Sequence, residues 1–216
     1  MREGTVELRA VVEAAFVPAG FGLWPVADAI DAFDHVPLHG GLDEEALGTV
    51  LYTFAVSCPH DPDEVFADPA ARVRAFAASR EPEAPGGLWC SDGAGRTWAP
   101  GCCSGIEEWR EGRRVLASGP EDPVWFGHSP SAHGARVGDR VLLTVDAEEP
   151  DGPVIELDAE VYARLLDGVE GELREFLGLV EGWARRVLPA PDRGPFVAAV
   201  ARLVDLSIPG REGSGT

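Results

Sequence analysis

From Val161 to Val187 the chain carries one continuous apolar stripe. Val161, Leu165, Val169, Leu173, Phe176, Val180, Trp183 and Val187 recur at spacings of three and four. That is the period of an α-helix, and a helix with one apolar face must lay it on a sheet, another helix or a partner. Asp158 stands before the stripe as an N-cap and Pro189 stands past its end, so the pattern predicts a helix over 159–188. Gly168, Gly171, Gly178 and Gly182 each weaken it by about 1 kcal/mol relative to alanine, which leaves room for a kink or break.

A second terminal helix is expected over 195–206, with Phe196, Val200, Leu203 and Val204 facing inward. Upstream, Val6, Leu8, Ala10 and Val12 alternate with Glu7 and Arg9, as in a half-buried strand. Residues 43–57 fit a helical face, with Asp43, Glu44 and Glu45 suited to its positive N-terminal end. Over 50–57, however, Val50, Tyr52, Phe54 and Val56 also alternate as in a strand, and the period does not decide. Asp61-Pro62 and Asp68-Pro69 read as helix starts, the second opening a helix over 69–79. A short helix is expected from Ile106 to Arg113 and loop over 18–41 and 119–135. Val141, Leu143 and Val145, a turn at 147–152, and Val154, Ile155 and Leu157 read as a β-hairpin.

These readings give an α+β fold. A mostly antiparallel sheet carries the long C-terminal amphipathic helix and the second terminal helix. The chain reads as one domain over 1–208, with a subdomain boundary near the EPEAPGG segment at 81–87 and a frayed tail at 209–216.

Charge and composition exclude several functions. The formal net charge is −19, which repels phosphate backbones and argues against a nucleic-acid binder. All 18 basic residues are arginine, and lysine, asparagine and glutamine are absent, as a GC-rich coding sequence would produce. Without lysine there is no Walker-type phosphate loop and no Schiff base. Without asparagine or glutamine, amide-based base reading is gone. The N-terminal sequence is not of signal type, and no apolar run reaches the roughly 18 residues of a membrane helix. A cytoplasmic protein with reduced cysteines is expected, with no membrane partner and no cofactor.

Chemistry, if present, is expected in residues 88–109, LWCSDGAGRTWAPGCCSGIEEW. This stretch places Trp89, Trp98 and Trp109, with Cys90, Cys102 and Cys103, among glycines. Ordering such a segment costs about 1–2 kcal/mol per residue in backbone entropy, and the indoles are the groups with area enough to offset it. Trp98 and Trp109 are therefore expected to be buried. Cys102 and Cys103 are expected to point to different sides, because neighbours in an extended segment diverge.

Three functions are carried forward. The acidity favours a basic protein partner, and an immunity- or antitoxin-like role is its most specific form. Trp89, Trp98, Trp109 and Trp125, with Glu107 and Glu108, are the binding candidates, either for that partner or as a tryptophan-lined small-ligand pocket. The alternative is a thiol-dependent or zinc-binding enzyme that uses the Cys102/Cys103 loop with His128. Cys90, Cys102 and His128 are its metal candidates, with Cys58, His60 and His133 as further donors, since thiolate and imidazole are the preferred zinc ligands. Gly101-Cys102-Cys103-Ser104-Gly105 also matches a G-x-C-x-G nucleophile elbow. In it Cys103 is the nucleophile, His128 or His133 the base, and Asp139 or Asp146 the orienting acid. Arg110, Arg113 and Arg114 form the densest basic cluster, suited to an anion or to neighbouring carboxylates.

Overall fold

The computed structural model describes residues 5–57 and 69–206. Its elements are β1 (Glu7–Glu13), β2 (His35–Pro37), α1 (Glu44–Ser57), α2 (Pro69–Ala78), β3 (Gly86–Ser91), β4 (Thr97–Trp98), a 3₁₀ turn (Ile106–Glu111), α3 (Gly112–Val115), β5 (Val124–Trp125), β6 (His133–Val137), β7 (Arg140–Thr144), β8 (Val154–Asp158), α4 (Ala159–Val187) and α5 (Ala190–Leu203). The class is α+β, with antiparallel sheets and the long helix α4. Two compact units are present, Met1–Val12 with Pro85–Glu172 and Glu13–Ala84 with Leu173–Thr216. Cys58, His60, Asp61-Pro62, Asp68 and the tail at 209–216 lie outside the described residues.

The first unit holds the strands that position the candidate site. β3 pairs antiparallel with β1, setting Leu8 opposite Cys90 and Ala10 opposite Leu88, and with β4, setting Cys90 opposite Trp98. Residues 88–91 and 97–98 thus pair as strands, which the sequence did not suggest. The signal was hidden because Gly86 and Gly87 have no side chain to alternate and Leu88 and Cys90 are both fully buried. The second sheet has the order β5-β6-β7-β8. Its β7–β8 hairpin is the expected one, with Val141, Leu143, Ile155 and Leu157 inward and Arg140 outward on Glu156 and Asp158. β5 and β6 fall in a stretch expected to be loop. β5 is only two residues long and β6, HGARV, has no apolar alternation; β6 is held by pairing along β7.

The long helix is unbroken through all four glycines, and Gly168, Gly171 and Gly178 face open space. Its apolar phase is as expected from Val169 to Trp183 but one residue off before it. Tyr162 and Leu166 are fully buried, while Val161 and Leu165 are only half-buried. Adjacent apolar pairs such as Leu165-Leu166 make the local phase ambiguous, and packing decides it.

The second unit is built on aromatic contacts. Trp24 meets Trp183 edge-on at 5.1 Å, Trp183 meets Phe196 of α5 at 5.6 Å, and Phe196 meets Phe76 at 5.5 Å. Phe54 of α1 contacts both Phe76 and Phe176. Each such pair adds roughly 0.5–1.5 kcal/mol to the burial of its rings. α1 is helical throughout, which resolves the 50–57 ambiguity. Every residue from Leu47 to Ala55 is buried, so no face is polar and the two periods match equally well. Thr49 and Thr53 use their hydroxyls twice, donating to Glu45 and Thr49 carbonyls and accepting from the N–H groups of Ala27 and Ala15. The loop over 14–27 is thereby fastened to the helix.

Candidate metal centre

After Trp98 the chain turns at Gly101-Cys102-Cys103-Ser104, closed by the Ser104 N–H donating to the Gly101 carbonyl at 3.3 Å. Cys103 has φ +66°. A positive φ at the third position of a turn is the type II geometry, in which glycine is favoured and a side chain costs about 1–2 kcal/mol. A second loop segment, Phe126-Gly127-His128-Ser129, lies against the first. The Gly101 N–H donates to the Phe126 carbonyl at 2.8 Å, and the His128 N–H donates to the Cys102 carbonyl at 3.2 Å. Beneath them Trp98 and Phe126, both buried, meet edge-to-face at 4.8 Å.

Two glycines permit this approach. A Cβ on Gly101 would sit 2.3 Å from the Pro130 carbonyl oxygen and 2.5 Å from the His128 nitrogen. One on Gly127, at φ +88°, would sit 2.6 Å from the Gly101 carbonyl oxygen and 2.7 Å from that of Cys102. Both contacts are to backbone, which cannot move aside without breaking the bonds that hold the turns together.

The result is convergence. The sulfurs of Cys102 and Cys103 and a ring nitrogen of His128 all lie within 4.8 Å of one another, and all three residues are exposed. The expectation that the two cysteines diverge is overturned, because it assumed extended backbone and they occupy the two central positions of a turn. A tetrahedral zinc ion bonded at about 2.3 Å to sulfur and about 2.0 Å to nitrogen holds its donors roughly 3.5–4 Å apart. The cluster is on that scale.

The other candidates stand elsewhere. Cys90 is fully buried on β3, and burial, aided by the charge of Asp92, pushes its thiol up to about 12. It stands apart from the cluster of Cys102, Cys103 and His128, and burial disfavours its thiolate. His133 lies against Trp125, ring centroids 4.9 Å apart and tilted by 51°, and burial holds its ring below the usual histidine range. Trp98 and Trp109 are sealed from solvent, Trp89 is half-buried and Trp125 is exposed, so the indoles do not form one ligand-facing wall. Glu107 is half-buried, and exposed Glu108 accepts from the Ser104 hydroxyl at 3.1 Å. The arginine cluster meets carboxylates: Arg113 bonds Asp167 and Glu170, Arg110 lies near Glu170, and Arg114 pairs with Glu111.

The elbow geometry is not formed. The motif follows a two-residue antiparallel strand and not the buried parallel strand that an elbow closes. Asp146 accepts from the N–H groups of Ser131 and Glu148, so its carboxylate is engaged there. The sequence signal for the true arrangement was the pair of turn dipeptides, Pro100-Gly101 and Ser129-Pro130, beside the two ligand segments. No family model, no curated protein and no solved structure matches this chain.

Proposed function

We propose that this chain is a transition-metal-binding protein whose centre is Cys102, Cys103 and His128. The observation that carries the reading is the convergence of their three donor atoms on two turns tied together through the backbone. Cysteine that serves packing is buried, as Cys90 is, whereas Cys102 and Cys103 are both exposed. One of them also occupies a glycine-favoured position, and strained residues of this kind cluster at ligand sites. Thiolate with imidazole selects zinc or another soft transition ion over magnesium or calcium.

The test is stoichiometric. The full chain, stripped with chelator and titrated with zinc, is expected to bind one ion saturably. Cys102→Ser and His128→Ala should each weaken binding by about 10-fold or more, while Cys90→Ala leaves it unchanged. Saturable binding that survives Cys103→Ser combined with His128→Ala would sink the assignment.

A second reading rests on a different surface. Phe16 and Phe33 are 72% and 76% exposed on the segment that also carries Asp28, Asp31 and Asp34. Phe16, Phe21, Ile30, Asp28 and Asp31 help line a cavity of about 290 Å³ there. Exposed rings among carboxylates suit a basic protein partner, the immunity- or antitoxin-like role, and the −19 charge supports that encounter.

A further inference from the structure

We infer that the Cys102–Cys103–His128 centre is open: its metal takes a fourth ligand from outside the chain, and that ligand is a thiolate. The inference rests on the metal-binding reading above and names the chemistry that the bound ion would meet. Among the described residues the cluster offers three donors, two sulfurs and one imidazole nitrogen. Zinc in closed structural sites takes four protein ligands, while a three-ligand set leaves one position for an incoming group. All three residues are exposed, so an incoming group can reach the cluster from solvent.

Two features choose the incoming group. First, two thiolates balance the charge of a divalent ion, so the centre is locally neutral and soft, and a soft donor is its best-matched fourth ligand. Second, catalysis on a bound substrate is favoured by an enclosed site with donors aimed at the developing charge. The exposed turns supply no such enclosure. Exposure favours exchange instead. The incoming thiol gives its proton to solvent, its sulfur bonds the metal in place of a solvent molecule, and the ion keeps its charge. No oxidant or reductant enters, and each sulfur–metal bond made is matched by a ligand lost. The rigidity of the glycine-backed turns keeps the three chain donors in place while the fourth exchanges.

Cobalt(II) reports both levels of the claim. The full chain is loaded with cobalt and its sulfur-to-metal charge-transfer absorption recorded, then 2-mercaptoethanol is added in steps. The expected result is a saturable rise of about 1.5-fold, three thiolates where there were two, with one thiol bound per cobalt. An unchanged spectrum overturns the open-site inference while leaving the metal centre standing, because it means that a fourth donor already comes from the chain. Loss of the band in step with added thiol, with no intermediate, also overturns it. Failure of cobalt to bind at all removes the metal reading itself. Glutathione and a cysteine peptide with arginine flanks separate the sources of the thiolate. Tighter, salt-sensitive binding of the basic peptide assigns the fourth ligand to a partner protein, and equal binding assigns it to a small thiol. Cys103→Gly, which keeps the turn, should abolish the response to every thiol.

Discussion

The backbone N–H of His128 donates to the carbonyl oxygen of Cys102 at 3.2 Å. That bond fixes an imidazole-bearing turn against a thiol-bearing one without using either side chain. The separation of the two segments is set by backbone, which is stiffer than any rotamer.

Gly127→Ala should therefore damage stability and metal binding together. The added methyl meets carbonyl oxygens of Gly101 and Cys102 within 2.7 Å, at a φ of +88° that alanine resists. A loss of at least about 1–2 kcal/mol in urea unfolding is expected, with weakened zinc affinity. Unchanged values for both would mean that the two turns are not held as described.

Cys103→Gly should separate the two properties. Glycine adopts φ +66° freely, so the variant should unfold later, by up to about 1 kcal/mol, while losing metal affinity. A destabilised variant would show that the Cys103 side chain packs.

In the second unit, Phe176 is fully buried and meets Phe54 at right angles, 6.3 Å between centroids. Phe176→Ala should cost about 3–5 kcal/mol, from lost transfer energy and the cavity left behind. Denaturant midpoints with an unchanged slope would measure it, and a loss under about 1 kcal/mol would contradict the burial.

Asp92 sets an acid limit on the β3–β4 turn. The Arg96 guanidinium, and then the N–H groups of Ala94 and Arg96, hold its carboxyl below the usual carboxylate range against the opposing effect of burial. A depressed pKa means that the unfolded chain binds the proton more readily. The stabilisation is then complete above the unfolded value of about 3.9 and is lost as pH falls through the folded one. Asp92→Asn should be less stable than the parent at pH 7, and the gap should close as pH falls below 4. A gap independent of pH would remove the charge from the explanation.

If the acidic, aromatic segment docks a basic partner, Phe16→Ser with Phe33→Ser should leave stability nearly unchanged, since both rings are mostly exposed. Binding of an arginine-rich amphipathic peptide should fall in that variant, and its on-rate in the parent should fall between low and physiological salt. A salt-independent on-rate would reduce the charge to a solubility feature.

Elements written in a local period were legible in the sequence. The helix over 159–187 declared itself through Val169, Leu173, Phe176, Val180 and Trp183, and the β7–β8 hairpin through Val141, Leu143, Ile155 and Leu157. Burial of Trp98 and Trp109 followed from the area needed to order a glycine-rich stretch. The phase of α4 before Val169 did not follow, because Leu165 and Leu166 are equally apolar and only the packing chose between them. Nor did the state of residues 50–57, where burial on every side erased the period. Cys102, Cys103 and His128 were each candidates by residue type, but their convergence depends on a turn at Cys103 and on the meeting of Gly101 with Gly127. Side-chain chemistry is local and can be read from a sequence. The distance between residues far apart in the chain is set by the contacts of the backbone between and beneath them, and that only the tertiary structure decides.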